Sequence, residues 1–193
     1  MPVTLDFFLE LAAAAAAETM PRFRMNGSIA DKGTVGGIKA YDPVTEGDRA
    51  CEQALRKLIE AKFPDHGILG EEFGAMGTDR RFVWVIDPID GTRAYITGIP
   101  VWGTLVGLMD SGVATSGFMA QPFTGELFYA LGGKSFRRDT RGEVQNQVSS
   151  VTDIAQATLF TTTPHLFRGE SRVRYDAIEQ QVKLFRYGCD CYA

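Results

Sequence analysis

The run Trp84-Val85-Ile86-Asp87-Pro88-Ile89-Asp90-Gly91-Thr92 is where the reading of this chain turns. Phe82 to Ile86 is a compact apolar stretch, most simply a buried strand. Asp87 stands at the end of that strand, and Asp90 follows after Pro88-Ile89. Proline fixes the backbone, so two carboxylates and the Ile89 carbonyl can converge on a small volume. Oxygen ligands of this kind suit a hard cation such as Mg²⁺. Gly91 and Thr92 would then open a helix, whose N–H groups and dipole favour an anion. A plainer reading is also open: Asp-Pro and Asp-Gly are ordinary turn chemistry after a strand. An EF-hand is excluded, because the loop lacks alternating acidic ligands and a closing glutamate.

Outward from this run, the N-terminal segment from about 4 to 20 reads as an alanine-rich helix with Thr4 at its N-cap. Pro21 to Pro43, with Gly33, Gly36 and Gly37, reads as strands or loops. Thr45 to Phe63 is expected to be helical, with Ala50, Ala54, Leu58 and Ile59 on one stripe and Pro64 as the stop. Trp102–Met109, Thr115–Pro122 and Glu126–Leu131 are separated by Asp110-Ser111-Gly112 and Phe123-Thr124-Gly125, which predicts an antiparallel meander. The polar stretch Arg137–Ser150 is read as a boundary, dividing the chain into 1–145 and 146–193. Beyond it, Thr158–Thr161 and Lys183–Tyr187 read as strands, with a helix over Arg172–Gln181 between them.

The 193 residues are 45% hydrophobic and 23% charged, which is ordinary for a globular protein and argues against disorder. A net charge of −4 gives no global reason to expect nucleic acid. No stretch is apolar and long enough to span a bilayer. The flanks of Leu11–Ala17 carry Asp6, Glu10 and Glu18, the wrong charge arrangement for a signal peptide. Three cysteines, with Cys51 remote from Cys189 and Cys191, suit free thiols and a cytoplasmic location. His66 and His165 are isolated and read as packing or surface residues, Trp84 as core and Trp102 as packing. Arg137, Arg138 and Arg141 read as a solvated loop.

Two upstream segments change the weight of the central run: Gly70-Glu71-Glu72, and Asp42-Pro43-Val44-Thr45-Glu46-Gly47-Asp48. Together with Trp84–Thr92, in this order and spacing, they resemble the inositol monophosphatase family over essentially the whole chain. The resemblance implies an α/β (α+β) fold of the layered αβαβα sugar-phosphatase type. Its first sheet is the antiparallel meander, and its second sheet, begun after 146, is incomplete here. It implies Mg²⁺-dependent hydrolysis of a small phosphate monoester with two or more ions. Glu71, Asp87 and Asp90, with the Ile89 carbonyl, are the implied metal ligands, and Glu71 also serves the chemistry. Gly91 and Thr92 hold phosphate, and Asp48 with the Thr92 hydroxyl orients and deprotonates the attacking water. Lys39, on the glycine-rich loop, is a further candidate. Members of the family continue beyond the length of this chain and supply another metal-binding aspartate there. A homodimer is expected, an association that would also cover exposed sheet edges.

Polyol-phosphate members usually carry a small, alanine-rich run after the glycine that follows the last strand. Here Phe185-Arg186-Tyr187-Gly188-Cys189-Asp190 stands instead. Asp190, with Arg186 near it, is the candidate for substrate recognition, because a carboxylate there favours a cationic alcohol. Gly91 to Thr104 also resembles the histidinol-phosphate phosphatase branch, so histidinol phosphate is the expected substrate. The alternatives are an inositol or sugar monophosphate, or a relative that binds metal or phosphate without turnover. For Asp190 a dipole role at a helix start is the competing reading.

Overall fold

The structure is a computed structural model and describes residues 3–25, 29–31 and 43–192. The described chain forms two compact units, Met1–Asn146 and Gln147–Ala193. Each is built on a β-sheet with helices, so the chain is of the mixed α/β class.

The first unit opens with helix α1, Leu5–Thr19, whose first turn is capped where Phe7 N–H donates to the Thr4 hydroxyl at 3.4 Å. Short strands β1 (Ile29–Asp31) and β2 (Pro43–Thr45) pair antiparallel. Helix α2, Glu46–Lys62, follows directly, with Thr45 at its N-cap. Its buried face is Asp48, Cys51, Glu52, Leu55 and Ile59, a helical i, i+3, i+4, i+7, i+11 stripe. The stripe expected through Ala50, Ala54 and Leu58 is therefore one residue out of phase. Those residues lie at the margin of the buried face, where alanine is tolerated because it commits little apolar area.

Eight strands form one sheet in the order β10-β9-β8-β7-β6-β5-β3-β4. They are β3 (Gly67–Gly70), β4 (Gly74–Met76), β5 (Phe82–Asp90), β6 (Gly103–Asp110), β7 (Val113–Gln121), β8 (Glu126–Leu131), β9 (Lys134–Asp139) and β10 (Gly142–Gln145). Strands β6 to β8 run as the expected meander, extended by β5 on one side and by β9 and β10 on the other, while β3 joins β5 in parallel. The two units divide at Asn146/Gln147, inside the polar stretch from Arg137, but that stretch is not all connection: 134–145 adds two strands to the meander. Arg141 and Arg137 pair with Asp139, and Arg138 with Glu143, so the basic cluster is a charge-balanced hairpin, not a loop. Exposed strands take charged residues on both faces, which hid this pair from a hydrophobic pattern.

Helices α1 and α2 cover one face of the sheet. Phe7, Phe8, Leu11, Leu55 and Ile59 pack on Ile68, Trp84, Ile86, Val106, Leu108, Phe118, Leu127 and Tyr129, the alternate residues that four neighbouring strands and β3 turn to that side. Trp84 is fully buried, and its indole N–H donates to His66 Nδ1 at 3.0 Å. His66 stacks on Phe63 and Phe82, so it is a packing residue. Burial holds its imidazole below its ordinary pKa, consistent with a neutral ring that must accept from Trp84.

Gly107 and Gly117 face each other across β6 and β7. A Cβ at Gly117 would lie 2.7 Å from the Val106 carbonyl oxygen and 3.1 Å from Gly107 Cα, whereas one at Gly107 meets nothing within 4 Å. Gly117→Ala is therefore expected to destabilise by about 1–3 kcal/mol, the usual range for overpacking. Gly107→Ala should leave the urea midpoint nearly unchanged. Equal midpoints for the two variants would contradict this packing.

In the second unit, β11 (Thr158–Thr161), α4 (Gly169–Glu179) and β12 (Leu184–Tyr187) form a parallel β-α-β unit, close to the expected boundaries. Among the described residues no helix is long and apolar enough to cross a membrane.

Candidate active site

Strand β5 does not stop before Asp87. It continues to Asp90, and the pairing with β6 shifts register between Asp87 and Asp90. Pro88 is the reason, because it has no N–H to give the ladder and is accommodated as a bulge. The freed Pro88 carbonyl accepts instead from the buried Thr104 hydroxyl at 2.7 Å. Ile89 is fully buried in a small cluster with Phe23, Tyr95 and Trp102, which anchors the bulge from below. Trp102 is thus packing, as its sequence context indicated. The irregularity places Asp87 and Asp90 on the same rim where strict alternation would be lost.

Gly91 follows in the left-handed region, φ 84°, a conformation that glycine adopts without strain. It starts α3, Thr92–Ile96, whose first backbone bond runs from Tyr95 N–H to the Gly91 carbonyl at 3.0 Å. The expected helix is present, but at five residues its dipole is small. Any anion binding here rests on the first-turn amides of Gly91 and Thr92, which have no intrahelical acceptor. The Thr92 hydroxyl donates to the Ile89 carbonyl at 3.0 Å, which leaves the Thr92 oxygen as an acceptor.

Glu71 lies where β3 ends beside β5, and its amide donates to the Ile86 carbonyl at 3.2 Å. The parallel pairing of Gly70 with Ile86 brings Glu71 level with Asp87. Glu71 is therefore one of the neighbours that disfavour charge on Asp87. Burial, together with the charges of Glu71, Asp90 and Asp48, pushes Asp87 up to about 8. Asp87 Oδ1 is buried without a hydrogen-bond partner.

Asp48 sits in the first turn of α2. Its Oδ2 accepts from the Thr45 amide at 2.8 Å and the Thr45 hydroxyl at 2.6 Å, while the Asp48 amide returns to the Thr45 oxygen at 3.4 Å. This capping box explains a carboxylate here on folding grounds alone. Burial raises Asp48 to about 6, against the lowering effect of the Thr45 bonds and with help from Glu72. Its charge also reaches Asp87, so it belongs to the same acidic field.

Asp48, Glu71, Asp87, Asp90, Gly91 and Thr92 are thus all carried on the β3–β5–α3 corner and the adjoining α2 start. Lys39 and Asp42 lie outside the described residues. Arg186, in β12, and Asp190, which opens a 3₁₀ turn over Asp190–Tyr192 with φ 41°, belong to the second unit. Sequence reading missed Glu52. It is fully buried, and its carboxylate accepts the Glu72 amide at 2.7 Å and the Phe73 amide at 3.2 Å. A charged residue on the buried stripe of α2 was the signal that could have found it.

Among the described residues no three His, Cys, Asp or Glu side chains converge closely enough, as they stand, to hold a metal ion. The donor set nevertheless fits a hard cation. A buried, unpartnered carboxylate oxygen on Asp87, with Glu71, Asp90 and Asp48 close enough to raise it, is a sign of negative charge in excess of local compensation.

The sequence profile described as the inositol monophosphatase family matches residues 3–190, and the chain belongs to that family. It is 38% identical over 185 residues to the chloroplastic bifunctional phosphatase IMPL2 of Arabidopsis thaliana, covering 95% of this chain and 51% of that one. It is 36% identical over 200 residues to a histidinol-phosphatase of Chlorobaculum parvum, covering 100% of this chain and 71% of the relative. An inositol monophosphatase structure from Zymomonas mobilis superimposes with a TM-score of 0.78 at 36% identity, over 95% of this chain and 68% of that one. The chain spans between about half and about seven-tenths of the length of these relatives.

Proposed function

We propose that the chain carries the active-site residues of a Mg²⁺-dependent phosphatase acting on a small phosphate monoester, with histidinol phosphate as the preferred substrate. The observation that carries this reading is the setting of Asp87: half-buried, with Oδ1 buried and unpartnered, and with Glu71, Asp90 and Asp48 near enough for their charges to add to desolvation in raising it. A purely structural turn would not gather uncompensated charge, because each buried carboxylate costs folding free energy.

Glu71, Asp87 and Asp90, with the Ile89 carbonyl, are the residues that would hold Mg²⁺. When bound, Mg²⁺ lowers the pKa of a water and neutralises charge developing on the ester oxygens. The chain's own groups do the rest. The Gly91 and Thr92 amides donate to the phosphate. The Thr92 oxygen accepts one hydrogen bond from the attacking water, since its own hydrogen is committed to Ile89. The Asp48 carboxylate, fixed through Oδ2 by Thr45, takes a proton from the water as its oxygen bonds to phosphorus; the ester P–O bond breaks, and the departing alkoxide is protonated by solvent to give the free alcohol and inorganic phosphate. Positioning and charge, more than covalent chemistry, lower the barrier.

The substrate rests on Asp190 and Arg186, with support from the histidinol-phosphatase relative. Asp190, with Arg186 near it in sequence, is the candidate for recognising a cationic group on the alcohol. The inositol monophosphate reading is supported by the Zymomonas mobilis structure. Phosphate release from histidinol phosphate and from inositol 1-phosphate, each with Mg²⁺ and with EDTA, separates the two. Asp190→Asn is expected to lower kcat/KM for histidinol phosphate by about 10–100-fold, as loss of one charge-assisted hydrogen bond does, and to leave inositol 1-phosphate nearly unaffected. Parallel losses on both substrates would remove Asp190 from recognition. No release from either ester at any Mg²⁺ concentration would overturn the phosphatase reading.

A further inference from the structure

We propose that Glu52, with Arg56, is the positioning residue that sets the Glu71–Glu72 turn and so the placement of the Glu71 carboxylate; this rests on the metal-binding reading of Glu71 above. Helix α2 grips the segment after β3 at successive points. Glu52 Oε2 accepts the Glu72 amide at 2.7 Å, and Oε1 accepts the Phe73 amide at 3.2 Å. Arg56 Nε donates to Glu52 Oε1 at 2.7 Å, and its Nη2 donates to the Gly74 carbonyl. Arg49, one turn earlier on α2, lies 4.0 Å from the carboxylate of Glu72, whose side chain is 3% exposed. Residues 49, 52 and 56 follow an i, i+3, i+7 pattern, so one line along the helix holds the whole turn.

Gly70 gives the second, independent observation. A Cβ there would collide with the Glu52 carboxylate and lie 2.8 Å from Arg56 Nη2. Yet Gly70 has no positive φ to explain its identity. The glycine of Gly70-Glu71-Glu72 is therefore required by the passage of the Glu52 carboxylate beneath it, not by the turn's own backbone. Glu71 is left between two fixed neighbours. Its own amide is tied to Ile86 on β5, and the next amide is tied to Glu52. Its side chain stands near enough to Asp87 for its charge to raise that carboxyl.

Stability alone does not account for the arrangement. A largely buried carboxylate–guanidinium pair, with only the Arg56 side chain partly exposed, gives little net stabilisation over apolar residues of like volume, because both ions must be desolvated. What apolar residues could not do is accept two successive backbone amides. Outer groups that orient metal ligands matter for affinity, and their loss typically weakens metal binding by about 10–100-fold.

Glu52→Gln keeps the shape and one carbonyl acceptor, so it is the variant of choice; Glu52→Ala would strand Arg56 and confound positioning with folding. Gly70→Ala tests the same contact from the other side. Arg81→Gln, which breaks an exposed pair with Asp110, is the control for a general loss of ion pairing. Two readouts are needed: Mg²⁺ affinity by calorimetry without substrate, and exchange of the Glu72 and Phe73 amides by NMR. Glu52→Gln and Gly70→Ala should each bind Mg²⁺ about 10–100-fold more weakly and speed exchange at those two amides. In an activity assay the deficit should shrink as Mg²⁺ is raised, with KM for the ester unchanged. Wild-type Mg²⁺ affinity in Glu52→Gln overturns the proposal, and so does weaker binding with unchanged exchange. If the wild-type chain binds no Mg²⁺, the metal reading of Glu71 fails, whereas the exchange measurement still decides whether Glu52 holds the turn.

Discussion

Asp87→Asn is expected to cut phosphate release by about 10²–10³-fold, the scale for removing one preorganised electrostatic contact, while raising the melting temperature of the Mg²⁺-free chain. The two effects share one cause. Asp87 is half-buried beside Glu71, Asp90 and Asp48, and its buried Oδ1 has no partner. A buried group in that condition costs about 1–3 kcal/mol. Removing its charge should return about 2 kcal/mol, or roughly 4–8 °C in a chain of this size. The sign with pH follows from linkage. The folded pKa lies above the ordinary carboxylate value, so the folded state binds more protons than the unfolded one. Stability is then fully present below about pH 4 and is lost as pH rises through about 8. The melting advantage of Asp87→Asn over wild type should therefore grow from pH 4 to pH 8, and shrink when Mg²⁺ is added. Calorimetric scans across that range give the test. A variant less stable than wild type at pH 8 without Mg²⁺ would show that Asp87 is a structural residue whose charge the fold already compensates.

That expected trade between activity and stability describes the whole corner. The meander and the α1–α2 layer supply a continuous apolar core around Trp84, Phe118 and Leu55. The carboxylates are placed at its edge, where β5 breaks register, and not within it. The bulge at Pro88 lets one strand belong to both regions: Trp84 and Ile86 face the core, and four residues later the same strand ends in Asp90. Thr104 and Gln121, both fully buried polar residues, donate to two carbonyls outside the ladder, that of Pro88 in the bulge and that of Pro100 in the connection before β6, respectively.

Much of this was legible from residue chemistry. Thr4 and Thr45 marked helix starts because a hydroxyl there satisfies amides that nothing else reaches. The meander showed in the spacing of Ser111-Gly112 and Thr124-Gly125. Three things were not legible. The strand's passage through Pro88 was hidden because proline reads as an end, and only tertiary pairing with β6 makes it a bulge. β9 and β10 were hidden because exposed strands balance Arg137, Arg138 and Arg141 against Asp139 and Glu143 instead of alternating apolar and polar residues. Glu52 was hidden because a glutamate in a helix is ordinarily solvated. Its meaning came only from β3 arriving with a glycine opposite it.

Asp48→Asn should lower kcat by about 10²–10⁴-fold, the range for loss of a general base, with little change in folding, since an asparagine oxygen can still accept from Thr45. The pH profile distinguishes a base from a cap. Asp48 must be ionised to take a proton, and burial has raised it to about 6. Activity of the wild type should therefore rise with pH through about 6 and level off above 7, with Mg²⁺ held saturating at each point. Thr45→Ala supplies the decisive comparison. The Thr45 hydroxyl bond favours the ionised form of Asp48, so its loss should move the acid limb to higher pH and reduce activity more at pH 6 than at pH 8. It should also cost about 0.5–2 kcal/mol of stability, as loss of an N-cap does. A capping box with no catalytic part would give the stability loss and leave the limb where it was. Both shifts together would mean that the cap that starts α2 also tunes the base, which puts Thr45 in the chemistry by way of the fold.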